Sequence, residues 1–141
     1  MIFVDSNVLI DISSQDAQWT HWSREALDEA YNSDRIALNQ IIVAEVAPLF
    51  PSLLAFTDWI APLQPALLDL TNEAAFVGGR AFRDHRARRK VGEAVVKSIM
   101  ADFLIGGHAA TLGATILTRD PRFYRTYFPT VPLITPDKAE P

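Results

Sequence analysis

The chain has 141 residues, 49% of them hydrophobic and 21% charged, with a net charge of −4 and no cysteine. That is the composition of one ordinary globular domain, able to bury about two-thirds of its unfolded surface, and it excludes disulfides, zinc–thiolate sites and a cysteine nucleophile. No basic leader opens the chain and no run approaches the roughly 20 apolar residues of a membrane span, so it reads as soluble and cytoplasmic, with no membrane partner.

In chain order, Ile2-Phe3-Val4 is a short, fully apolar strand, and Asp5-Ser6-Asn7 supplies turn and N-cap chemistry before a short helix with Val8-Leu9-Ile10. Asp16 is placed to cap a longer helix to about Tyr31, with Trp19, Trp22, Ala26, Leu27 and Ala30 on one stripe. Arg35-Ile36-Ala37-Leu38 reads as a second strand, and from Gln40 an apolar helix carries Glu45 and stops near Pro48. Pro51 opens another short helix, and Trp59-Ile60 is expected as a weak third strand closed by Pro62. Pro65 is expected to begin a long helix through Leu67, Leu68, Leu70, Ala74, Ala75 and Phe76, bent or loosened at Gly78-Gly79. Asp102 begins a helix through Phe103, Ile105, Ala109 and Leu112, ended by Gly113. A buried strand over Ala114–Leu117, a small helix from Pro121 with Phe123, Tyr124 and Tyr127, and a last strand over Val131–Ile134 complete the pattern. Apolar strands alternating with helices predict an α/β fold, a parallel sheet covered on both faces as a three-layer sandwich. Residues 1–135 form the single domain and 136–141 a loose tail.

Four acids stand out against this pattern. Asp5 directly follows the first strand and Asp120 closely follows Ala114–Leu117, while Glu45 and Asp102 adjoin the apolar runs Ile41–Ala44 and Phe103–Ile105. A lone carboxylate beside a core is costly to desolvate, so four such groups call for a compensating charge. Ligands of these sheets bind outside the carboxyl ends of the strands, where Asp5 and Asp120 converge if their strands are neighbours. Oxygen donors with no Cys or His beside them make a hard site, suited to Mg²⁺ or Mn²⁺ rather than zinc or copper. Asp5, Asp102 and Asp120 each have a competing reading as helix caps, and Glu45 has none. His21, His85 and His108 lack metal-ligand spacing, and neither a Gly-x-Ser-x-Gly elbow nor a Walker-type loop is present.

Charge is unevenly spread. Between Arg80 and Gly92, six cations (Arg80, Arg83, Arg86, Arg88, Arg89 and Lys90) face one acid, Asp84, a local +5 on a chain of net −4. Such a strip suits a polyanion, or else a solvated helix face or an acidic protein partner.

The blocks Ile2–Ile10, Asn39–Val46, Ala101–Ala109 and Ile116–Asp120, in this order and spacing, resemble the PIN-domain ribonucleases, most closely the VapC toxins of type II toxin–antitoxin modules. The resemblance implies a five-stranded parallel sheet and a Mg²⁺- or Mn²⁺-dependent endoribonuclease that cuts structured RNA, such as transfer RNA or a ribosomal RNA loop, leaving a 5′-phosphate. It also implies a homodimer and a cognate VapB antitoxin that inserts a C-terminal segment over the site. Asp5, Glu45, Asp102 and Asp120 match the family's acidic metal-binding positions, and Asn7 and Thr118 match polar positions that hold those acids. Ser98-Ile99-Met100-Ala101 departs from close relatives, which often carry a proline just before the third acid.

On this reading Asp5, Glu45 and Asp102 hold the metal, Asp120 helps hold a metal or orient water, and Arg80, Arg83, Arg86, Arg88 and Arg89 contact RNA phosphates. A competing reading is a non-catalytic RNA- or antitoxin-binding module of the same fold. A phosphatase of the haloacid dehalogenase type needs a second Asp where this chain has Asn7.

Overall fold

The computed structural model describes residues 1–88 and 99–136, apart from the side chains of residues 88 and 99. Five strands, β1 (Ile2–Val4), β2 (Ile36–Asn39), β3 (Ala66–Leu68), β4 (Thr115–Leu117) and β5 (Leu133–Ile134), form one all-parallel sheet in the order β3-β2-β1-β4-β5. Every residue of β1 and β2 is buried. Successive strand side chains point to opposite faces, so helices must cover both, which is why these strands read as continuous apolar runs. The expected three-layer, five-stranded α/β architecture is the one observed.

Helices α1 (Ser6–Ser13) and α2 (Thr20–Ser33) link β1 to β2, and α3 (Gln40–Val46) and α4 (Leu53–Ile60) link β2 to β3. Helices α5 (Asn72–Arg88) and α6 (Ile99–Leu112) precede β4, and α7 (Arg122–Tyr127) joins β4 to β5. Asp16 acts just ahead of α2, its Oδ1 accepting from the backbone N–H groups of Gln18 and Trp19 at 2.9 and 2.8 Å. Among the described residues no single helix is long and apolar enough to cross a membrane.

Three expectations are corrected. Trp59-Ile60 is the end of α4, not a strand. Ser52 Oγ caps that helix by accepting from Ala55 N at 3.1 Å, and Phe56 and Ile60, one turn apart, share its buried face. The third strand is instead Ala66–Leu68, where a helix was expected from Pro65. A three-residue apolar run does not separate helix from edge strand by periodicity, and the sheet edge took it. The long helix begins only at Asn72, with Thr71 Oγ1 accepting from Ala74 N at 3.0 Å.

Helix α5 continues unbroken through Gly78 and Gly79. A Cβ on Gly78 would lie 2.5 Å from the Phe103 carbonyl oxygen, and one on Gly107 would lie 2.6 Å from that of Ala74. Gly78 and Gly107 therefore let α5 and α6 pack backbone to backbone, which sets the position of Asp102. The basic residues Arg80, Arg83 and Arg86 are exposed on α5, whereas the Arg88 side chain and all of Arg89 and Lys90 lie outside the described residues.

Candidate metal centre

The chain leaves β1 toward β2 but leaves β4 toward β5, so the strand order reverses between the neighbours β1 and β4. The register pairs Val4 with Leu117, which sets Asp5 and Thr118 side by side just beyond the carboxyl ends, where such sheets open a crevice. Asp5 occupies the N-cap position of α1, yet its side chain caps nothing. Its Oδ2 instead accepts from Thr118 Oγ1 at 2.9 Å, Tyr124 Oη at 3.1 Å and Asn7 Nδ2 at 3.4 Å. Asn7 Nδ2 also donates to Thr118 Oγ1 at 3.1 Å, so Asn7 and Thr118 brace one oxygen of Asp5 from two elements.

Glu45 enters from α3 and accepts from Ser6 Oγ at 2.9 Å, and Asp102 enters from the first turn of α6. One carboxylate oxygen from each of Asp5, Glu45 and Asp102 lies within 4.8 Å of the others. Asp5 is 4% exposed, and the other two are half-buried. The capping reading of Asp102 fails because the helix already runs from Ile99. Asp120 is exposed and outside this group of three; Pro121, not Asp120, holds the N-cap position of α7, with no side-chain cap.

The electrostatics are those of like charges gathered in a buried site. Asp102 is pushed up to about 8, first by burial and then by the charges of Asp5, Glu45 and Asp120. Burial likewise raises Asp5, against the hydrogen bonds from Thr118, Tyr124 and Ser6, and it raises Glu45, with a smaller push from Asp5. Three converging carboxylates with no nitrogen or sulfur donor in the group fit a hard divalent cation such as Mg²⁺ or Mn²⁺.

Residues 2–129 match the family model of the PIN domain. The chain belongs to the PIN-domain family. The fold of this PIN domain is shared by solved structures of low sequence identity. A DNA-bound VapBC from Salmonella typhimurium matches with TM-score 0.67 and 21% identity over 95% of this chain and 96% of that one. VapBC2 from Rickettsia felis, bound to a promoter DNA fragment, matches with TM-score 0.65 and 19% identity over 97% and 100%. A toxin–antitoxin complex from Klebsiella pneumoniae gives 0.67 and 17% over 98% and 99%. No curated protein matches the chain in sequence.

Several groups that shape the PIN-domain crevice escaped the sequence reading. Ser6 stands between two of the acids but reads there only as turn chemistry. Tyr124 reads as a core aromatic, and nothing local announces that its hydroxyl donates to Asp5 across 119 residues. Asp11 is 1% exposed and pairs with Arg119, whose Nε lies 2.7 Å from Asp11 Oδ2. Asp11 is the one acid within α1, set among the apolar residues Val8, Leu9, Ile10 and Ile12, and a lone carboxylate there is the signal that could have flagged it. Its partner, on the far side of the chain, could not have been read.

Proposed function

We propose that this PIN domain is a divalent-cation-dependent endoribonuclease, the toxin of a VapBC-type toxin–antitoxin module. The observation that carries the proposal is the convergence of Asp5, Glu45 and Asp102 from β1, α3 and α6 on one point of the crevice. These three would hold Mg²⁺ or Mn²⁺, with Asp120 at the rim to help hold a cation or orient water. Bound there, the cation would supply charge for the phosphodiester oxygens and acidity for a water molecule. Asn7 and Thr118 hold Asp5 in one orientation, which is how neighbouring polar groups keep a ligand set in register. Arg80, Arg83 and Arg86, exposed on α5, supply cations for RNA phosphates, and the reading extends the same role to Arg88 and Arg89.

The antitoxin assignment rests on the matched solved structures, which are VapBC and toxin–antitoxin complexes. Leu53, Leu54 and Leu67 are 72, 69 and 63% exposed on α4 and β3. Such apolar surface suits a protein partner, the antitoxin or a second copy of the chain. A test is cleavage of cellular RNA by the purified chain with Mg²⁺ or Mn²⁺, with 5′ ends mapped. Wild type should cut at defined positions, and Asp5→Asn should be inactive while keeping its fold. Asp5→Asn cutting at the wild-type rate, or a wild type inert with both metals, rejects the nuclease reading in favour of a non-catalytic module.

A further inference from the structure

We infer that Arg119 is a substrate-binding residue that grips an RNA phosphate next to the acidic cup, a role that rests on the nuclease reading above. Its backbone N–H lies 3.4 Å from Asn7 Oδ1, so the main chain of Arg119 sits at the rim, one residue from Thr118. From there the side chain reaches Asp11 on α1, four residues and about 6 Å of helix rise beyond Asn7. A strand whose scissile phosphate lies over Asp5, Glu45 and Asp102 would bring a neighbouring phosphate to this place.

The guanidinium is held rigidly and used incompletely. Nε donates to Asp11 Oδ2 at 2.7 Å, and that same oxygen accepts from Ser23 Oγ at 2.9 Å. The guanidinium carbon lies over the Trp19 ring, 5.6 Å from its centroid. Asp11 is 1% exposed, whereas the Arg119 side chain is 31% exposed. Neither Nη of Arg119 has a partner among the described residues. Neutralising a buried carboxylate is best done by the two-pronged pairing that guanidinium offers, and here only the Nε edge is spent. The outer Nη edge, with its parallel N–H groups, is thus fixed in place, partly exposed, and shaped for two phosphate oxygens. Among the described residues no buried acid holds Arg80, Arg83 or Arg86. Ordering one cation in advance reduces the entropy lost when RNA binds.

The test compares wild type with the double variant Asp11→Asn/Arg119→Gln. The pair leaves net charge unchanged and retains a neutral hydrogen-bonding couple in place of the ion pair. Binding of bulk transfer RNA is measured by anisotropy in chelator across a salt series, with the melting temperature recorded for each protein. The double variant should bind about ten-fold more weakly at low salt. Its slope of log affinity against log salt should be shallower by about 0.7 to 0.9, the share of one phosphate contact. With Mn²⁺ restored, KM for cleavage should rise while kcat holds. An unchanged salt slope overturns the proposal and leaves Arg119 as the counter-charge of Asp11 or a contact for an acidic protein partner. Failure of the wild type to bind RNA at all sinks the nuclease reading itself, and this inference with it. Should the double variant not fold, Arg119→Lys serves: it keeps the charge but loses the fork, so the slope should hold while affinity falls, and full affinity overturns the inference.

Discussion

Asn39 and His108 tie together the two helices that carry Glu45 and Asp102. Asn39 ends β2 and caps α3, its Oδ1 accepting from Ile42 N at 3.0 Å, while its Nδ2 lies 3.1 Å from His108 Nδ1 on α6. Both side chains are buried, and burial holds His108 below the usual histidine range, so the neutral ring accepts from the amide through Nδ1. Asn39→Ala removes the cap and strands a buried ring nitrogen, costs of about 1 kcal/mol and about 1–3 kcal/mol. A urea midpoint lowered to match, with weaker Mn²⁺ binding, is the expected outcome.

The acidic cup predicts an inverted pH dependence for the metal-free protein. Asp102 stands at about 8, and Asp5 and Glu45 are also raised, so between about pH 4 and about pH 8 the native state holds more protons than the unfolded chain. Stability from these groups is fully present below the unfolded carboxyl value and is lost as pH rises through the folded one. Melting temperature in chelator should fall from about pH 6 to about pH 8.5, and Mn²⁺ should restore more of it at the higher pH, because the cation displaces those protons. The check is a thermal melt series with and without Mn²⁺.

Tyr124 donates to Asp5 from full burial. Tyr124→Phe keeps the ring and removes that donor, so Asp5 should be harder to ionise. Loss of such a supporting group costs about 10–100-fold in metal affinity, which calorimetric Mn²⁺ titration reads directly.

Two glycines in contact with opposite surroundings separate packing from propensity. Gly107→Ala drives a Cβ against the backbone of Ala74 and Gly78 and should destabilise by about 1–3 kcal/mol or more. Gly79 meets nothing within 4 Å, so Gly79→Ala should stabilise α5 by about 0.5–1 kcal/mol. Denaturation of the two variants in parallel tests both signs.

The centre of the sheet was legible because β1 and the Ile116-Leu117 end of β4 are buried and read as apolar runs, so the acids after them could be placed at strand ends. Glu45 was legible as an acid with no helix to cap. Asp120 was less so: its place after a strand signals the crevice, but its side chain stays outside the group of three. The edge of the sheet was not legible, since Ala66–Leu68 is too short for periodicity to decide and Leu67 faces outward. Nor was the role of Gly78, because close approach to Phe103 depends on α6, 21 residues or more along the chain. Hydrogen bonds such as Tyr124 to Asp5 depend on the finished fold and leave no local trace.

Calorimetric titration of Mn²⁺ into wild type and Asp102→Asn tests most directly whether the three acids act as one ligand set. Wild type should give a saturable binding heat accompanied by proton release, and Asp102→Asn should lose at least ten-fold in affinity while remaining folded. Equal affinity in the two proteins, or no binding to wild type at about pH 8, contradicts the account.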